Sequence, residues 1–321
     1  VRVAYVFPGQ GAQYVGMGVE LAEAFPQARA VFDRASSVLG LDLLELCRSG
    51  PEEVLQRTEN TQPAILTTSL ACLEVVRGRI PEPAVAAGLS LGEYSALVCA
   101  GSLQLEDAVW LVRQRGLFMQ EATRGRDTAM AAVVGLAAQA VEEVCRQASA
   151  VGVCEASNCN APDQVVVAGD RAAVEEAVRL AKAAGARRAV LLAVSAPFHT
   201  SLMRPAADRL QEALEQVEVR DASIPVVANV TAQPVRRADE IRRLLVEQVA
   251  SPVRWAQSVG RMATDGVDTF VELGPGTVLS GLVKRCAPGR RTCHVEDRTS
   301  LDRTVAALAT PADAARAGPG A

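Results

Sequence analysis

Val85-Ala86-Ala87-Gly88-Leu89-Ser90-Leu91-Gly92-Glu93-Tyr94-Ser95-Ala96-Leu97 is the stretch from which the architecture unfolds. A short apolar run meets a glycine, a serine stands two places on, a second glycine follows, and helical periodicity then runs through Cys99. That order predicts a buried strand, a tight bend and a helix. The glycines let the chain turn sharply between strand and helix, which leaves the Ser90 hydroxyl exposed at the helix start in a G-x-S-x-G pattern. Unpaired N–H groups and the helix dipole at that end favour negative charge on a nearby oxygen. Five matching residues alone are weak, because many serines sit between glycines in plain turns. The strand before and the helix after make a nucleophile the better reading.

The same alternation extends in both directions. Val1–Phe7 predicts a strand that breaks at Pro8-Gly9-Gln10-Gly11, and helical patterns follow at about 16–38, 51–58 and 62–78, then over Leu105–Ala122. This is the rhythm of an α/β unit with a parallel sheet. The middle third differs. Ala129–Gly135 predicts a strand, Ala137–Ala148 a helix, and Val151–Ala156 and Gln164–Ala168 two strands flanking the turn-rich residues 158–163. Ala172–Ala184 then predicts a helix and Arg188–Val194 a last strand. Strand, helix, strand, strand, helix, strand is the ferredoxin-like order. Beyond Pro197 the α/β pattern returns: helices at about 201–216, 238–248 and 251–264, and strands at Val226–Asn229 and Thr269–Leu273, the latter ending in Gly274-Pro275-Gly276. The expected organisation is a large α/β subdomain (1–127 and 196–300), a small ferredoxin-like subdomain inserted at 128–195, and a C-terminal tail over 301–321, fraying from Thr310.

With 321 residues the chain has room for about two domains or one large α/β unit. A composition 49% hydrophobic and 22% charged excludes a disordered or low-complexity protein, and 3% aromatic residues imply a core of Ala, Val and Leu. A net charge of −4 argues against nucleic acid as the main partner. The eight cysteines are scattered, without disulfide-scaffold or zinc-ligand spacing; Cys286, Cys293 and His294 come nearest to a metal cluster. They read as reduced thiols of a cytoplasmic protein, so no metal is expected. No apolar stretch reaches the length of a membrane span, so no membrane partner is expected either.

A serine nucleophile needs a base, and the chain offers only two histidines, His199 and His294. His199 follows the predicted strand Arg188–Val194 in Ser195-Ala196-Pro197-Phe198-His199, at the strand end where active sites of open α/β sheets gather, and it is favoured. The Pro8–Gln13 loop lacks the third glycine of a dinucleotide fingerprint, since Tyr14 stands there, and no phosphate-loop sequence exists. That loop reads as a tight turn or as a backbone donating an N–H to a substrate. Arg113 and Arg115, two residues apart on one helix, point to nearly opposite sides, so at most one faces a cleft.

Together these segments resemble the malonyl-CoA:acyl carrier protein transacylases of fatty acid and polyketide synthesis. The resemblance runs through Phe7–Gln13, Thr61-Gln62-Pro63-Ala64, Gly88–Leu97, Arg113-Gln114-Arg115-Gly116, Asn160-Ala161-Pro162, Pro197-Phe198-His199, Gln248 with Ser251–Trp255, and Glu272–Gly276. It implies a hydrolase-like large subdomain, an active site between the subdomains, Ser90 as acyl acceptor and His199 as base. It implies further that the backbone carbonyl of Gln248 orients the histidine, that the N–H groups of Gln10 and Leu91 form the oxyanion hole, and that Asn160 lies near the site. Arg115 aligns with the family's carboxylate clamp. A planar guanidinium holds a carboxylate through two charge-assisted hydrogen bonds, so it would attract malonyl and reject acetyl. The implied reaction is a ping-pong transfer of malonyl from malonyl-CoA to the phosphopantetheine thiol of an acyl carrier protein, with no cofactor. Leu89 departs from the histidine usual before the nucleophile, whereas Leu91 and Phe198 resemble malonyl-selective members. The alternatives are the same chemistry on methylmalonyl-CoA, or a serine acyl hydrolase or esterase with a carboxylate on its histidine.

Overall fold

Phe7 and Gly88 lie side by side at the ends of two neighbouring parallel strands, and that adjacency organises the molecule. The computed structural model describes residues 1–194 and 196–309. Strands β1 (Val3–Phe7) and β2 (Val85–Gly88) are buried at every residue, as parallel strands covered on both faces by helices must be. They are followed by β3 (Thr128–Val134), β4 (Cys154–Ala161), β5 (Gln164–Asp170), β6 (Arg188–Leu191), β7 (Val226–Val227), β8 (Pro234–Val235), β9 (Thr269–Leu273) and β10 (Arg291–Val295). A six-stranded sheet runs β10-β9-β1-β2-β7-β8. Its pairings are parallel except at the edge, where β8 returns antiparallel to β7. A separate four-stranded sheet, β4-β5-β3-β6, is antiparallel throughout and has the ferredoxin-like order.

The helix Thr58–Val76 runs through the large subdomain buried on nearly every side. Pro63 lies inside it and has no N–H to give the Glu59 carbonyl one turn back. Arg113 fills the vacancy, donating from Nη1 to that carbonyl at 2.8 Å. The partner helix, Leu105–Ala122, comes unusually close at Gly116, where a Cβ would stand 2.8 Å from the Cα of Glu59. Only glycine permits this approach, and it sets Arg115 beside Gln62.

The small sheet is covered by the helices Ala138–Ala148 and Arg171–Ala183, and its core is Ala and Val, including Val141, Ala173, Val174 and Ala177. Its edge is stitched to the large subdomain: Cys159 N donates to Val253 O at 2.8 Å and Val253 N to Ser157 O at 2.9 Å.

Several expectations are corrected. β4 continues through Asn158, Cys159 and Asn160, which were expected in a turn, because two register irregularities and the Val253 pairing keep this polar stretch extended. β6 stops at Leu191 rather than Val194. A helix at Leu43–Ser49, capped by the Asp42 side chain on Glu45 N, was not anticipated, nor were the helix Val278–Cys286 and β10. Residues 301–308, assigned to the tail, belong to the helix Arg298–Leu308. A reciprocal Asp297–Ser300 capping box starts this helix, and its Leu301 and Leu308 are buried in the large core. The tail expected from Thr310 lies outside the described residues. No helix among the described residues is long and apolar enough to cross a membrane.

Candidate active site

β2 delivers the chain into a bend at which Ser90 adopts φ 53°, the left-handed region that a non-glycine residue enters at a cost of about 1–3 kcal/mol. Surrounding groups hold it there. Ser90 N donates to Asn229 Oδ1 at 2.6 Å, and Ser90 O accepts from Gln248 Nε2 at 3.0 Å and from Glu93 N at 3.1 Å. A Cβ at Gly92 would lie 2.1 Å from the Phe7 carbonyl oxygen, so the helix Gly92–Cys99 can start only with glycine against the end of β1. The bend thereby sits next to the Pro8–Gln10 loop.

His199, also left-handed at φ 61°, meets this bend. Its Nε2 is 2.7 Å from Ser90 Oγ and its Nδ1 is 2.7 Å from the Gln248 carbonyl oxygen. A carbonyl can only accept, so Nδ1 carries the proton and Nε2 presents its lone pair to the hydroxyl. Burial first, and the Arg115 charge second, lower the imidazole pKa to about 3. The ring is therefore neutral at physiological pH and able to take a proton. Its orienting partner is a carbonyl, where the esterase alternative called for a carboxylate.

Arg115 is 2% exposed. Nη2 donates to Ser90 Oγ and to Gln248 Oε1, both at 3.0 Å, and Nη1 to Gln62 Oε1 at 2.8 Å. The Tyr94 ring lies 5.7 Å from the guanidinium carbon, and Nε is buried without a hydrogen-bond partner. Burial works against the charged form of Arg115, and Tyr94 and Glu93 support it. Arg113, on the other side of the helix, stays with Glu59 and Asn60.

These groups open on a cleft of about 450 Å³ between the subdomains. The large subdomain contributes Gln10, Ser90, Arg115 and His199, and the small one Met130 and Asn160. Gln10 is anchored by Nε2 on Thr58 Oγ1 at 3.3 Å, and Leu91 is buried behind the serine. No turn, loop or cap hydrogen bond among the described residues uses the N–H of either. Asn160 keeps its side-chain oxygen buried and unpartnered, while its backbone carbonyl accepts from Cys286 Sγ at 3.4 Å. His294 lies away from this site on β10, 3.9 Å from Glu296. Cys293 and His294 are successive strand residues and project to opposite faces. Among the described residues no cluster of three His, Cys, Asp or Glu side chains could hold a metal ion.

Three participants escaped the sequence reading. Gln62 fixes one arm of Arg115. Asn229, just past β7, bridges Ser90 N and Gly88 O. Glu93 joins Asn229 to Gln248. Glu93 and Gln62 lie in segments that carry the resemblance but had no role assigned there, and Glu93 also stood out as an acid in the otherwise apolar run after Gly92; Asn229 left no signal outside its three-dimensional setting.

Residues 4–301 match the acyl transferase domain family. The malonyl CoA-acyl carrier protein transacylase of Bacillus subtilis (strain 168) is 44% identical over 308 residues, covering 96% of this chain and 97% of the relative. The enzyme of that name from Escherichia coli (strain K12) is 47% identical over 285 residues, covering 88% and 92%. Among solved structures, a malonyl-transacylase in complex with its type II PKS acyl-carrier protein (PlMCAT:AntF) superposes with a TM-score of 0.93 at 44% identity. That match covers 96% of this chain and all of the other, 100%.

Proposed function

This chain belongs to the acyl transferase domain family, and on that premise we propose how its site moves an acyl group. The protein is an acyltransferase that transfers malonyl from malonyl-CoA to the phosphopantetheine thiol of an acyl carrier protein, its substrate and partner respectively, in fatty acid or polyketide synthesis. Ser90 Oγ attacks the thioester carbonyl carbon as its proton passes to His199 Nε2. The N–H groups of Gln10 and Leu91 face the oxyanion, and His199⁺ is steadied by the Gln248 carbonyl on Nδ1. The C–S bond then breaks, the CoA sulfur takes the proton from His199, and a malonyl-serine ester remains. In the second half the carrier thiol gives its proton to His199 and attacks the ester. The C–O bond breaks, and Ser90 recovers the proton. Both halves exchange acyl groups between a hydroxyl and a thiol, so the sequence of steps calls for no metal or redox group.

The observation that carries this reading is the Arg115 guanidinium, buried and 3.0 Å from the nucleophilic oxygen. A dicarboxylic acyl group attached to Ser90 places its distal carboxylate within reach of that cation, and an uncharged acyl group leaves the cation unmatched. A hydrolase has no use for such a group, and the methylmalonyl alternative is not favoured by relatives named for malonyl. The eight free thiols agree with a cytoplasmic setting. Asn160, on the small subdomain's wall of the cleft, is assigned to contact with the pantetheine arm. Intact-protein mass spectrometry after mixing with a panel of acyl-CoAs tests the reading. A malonyl-sized adduct on Ser90, with acetyl-CoA leaving the protein unmodified, is the expected result; preferential loading of an uncharged acyl group overturns it.

A further inference from the structure

Two carboxyl groups buried in the large subdomain have very different surroundings. Glu272 caps a helix, accepting from Leu279 N at 2.9 Å and Ser280 N at 2.7 Å. Glu93, in the first turn of the helix Gly92–Cys99, bonds instead to two amides outside that helix. Its Oε2 accepts from Gln248 Nε2 at 2.7 Å and from Asn229 N at 3.1 Å, and each partner continues into the catalytic centre. Asn229 takes the Ser90 N–H on Oδ1 and donates from Nδ2 to Gly88 O at 2.7 Å. Gln248 donates to Ser90 O, accepts from Arg115 Nη2, and orients His199 with its backbone carbonyl. Both backbone polar groups of the strained serine are thus held by side chains of two residues that donate to one carboxylate oxygen, Gln248 from its side-chain Nε2 and Asn229 from its backbone N.

An ionised carboxylate can only accept. It therefore dictates which end of the Gln248 amide faces which neighbour: nitrogen toward Glu93 and Ser90, oxygen toward the guanidinium. We propose that Glu93 is the positioning residue of this site, its carboxylate holding the Ser90 bend and the Arg115 clamp in register through Asn229 and Gln248. Glu93 touches no reacting atom, and the assignment rests on Ser90 being the acyl acceptor.

The titratable groups facing Glu93 are Arg115 and Tyr94; the neutral amides of Gln248 and Asn229 make up the rest, with His199 beyond Gln248. Burial raises the Glu93 pKa to about 7, against the pull of the Gln248 and Asn229 hydrogen bonds and the Arg115 charge. The carboxylate is accordingly present above about pH 7 and lost as pH falls through it. His199, lowered to about 3, does not titrate in that interval.

The test follows malonylation of the full chain by malonyl-CoA across about pH 5.5 to 9, for the parent, Glu93→Gln and Glu93→Ala, with Tm measured alongside. In the parent the rate should fall about tenfold per pH unit below about 7. Glu93→Gln, which keeps the shape and one acceptor oxygen, should lose that acidic limb. Glu93→Ala should lower kcat about 100-fold, with KM changed less, as expected when a nucleophile is displaced by about 1 Å. An acidic limb unchanged in Glu93→Gln, or a parental kcat in Glu93→Ala, overturns the proposal. If Glu93→Ala does not fold, the Glu93→Gln profile decides alone. A parent that takes no label on Ser90 at any pH defeats the functional reading itself, whereas a labelled parent with indifferent Glu93 variants removes only the positioning role.

Discussion

The two subdomains handle their polar residues in opposite ways. In the large one, Glu93, Arg115, His199, Asn229 and Gln248 are all buried and bonded to one another around the bend at Ser90. In the small one, charges pair at the surface, as in Arg146–Glu143, Arg179–Glu176 and Arg187–Asp163, above a core of Ala and Val. Its share of the cleft is a wall: Met130, Val166 and the asparagines 158 and 160. The contrast follows from topology. Parallel strands end side by side, so the loops after β1 and β2 meet at one edge under helices that exclude water, where fixed charges act strongly. An antiparallel hairpin offers a flat face and a short turn, which suit shape recognition better than charge stabilisation.

Substitutions can break or sharpen that contrast. The largest effect is expected for Ser90→Ala, which should cut malonyl transfer by at least about 10³-fold with the fold intact by circular dichroism; transfer surviving that change would move the nucleophile elsewhere. Arg115→Ala should lower kcat/KM for malonyl-CoA by about 10²–10⁴-fold, the equivalent of about 3–5 kcal/mol for one lost partner of a buried pair, and should improve loading of uncharged acyl groups. Leu301→Ala should cost about 2–5 kcal/mol in urea unfolding while kcat holds, because it empties a core site remote from the cleft. The smallest effect belongs to the wall. Asn160→Ala should raise KM about 2–10-fold, the worth of one hydrogen bond, and leave kcat alone. A large kcat loss there would put chemistry in the small subdomain and dissolve the contrast.

Much of this was readable from local pattern. The bend at Ser90 announced itself through glycine spacing between an apolar run and a periodic one, and the ferredoxin-like subdomain through its order of elements. Ser90 and His199 were named from the residues themselves and Gln10, Leu91, Arg115, Asn160 and Gln248 through resemblance, and the structure gathers them at one cleft or directly behind it. What failed was local evidence of the wrong kind. Residues 158–160 have turn-like composition, yet Val253, almost a hundred residues away, gives their backbone a strand to pair with. Arg298–Leu308 was lost to an assumed tail because its burial depends on a core built by distant elements.

From the amino-acid order alone came the nucleophile, its base and the two-subdomain plan, and the resemblance added a guanidinium for a carboxylate. These depend on short-range signals: backbone freedom at glycine, periodicity, and the chemistry each side chain carries. Only tertiary structure decided how Arg115 and His199 are held beside Ser90, and that Glu93, Asn229 and Gln62 belong to the site. Those outcomes depend on which strand ends and helix faces come within 3 Å of each other. Such distances are set by the packing of the whole chain, and no window of neighbouring residues contains them.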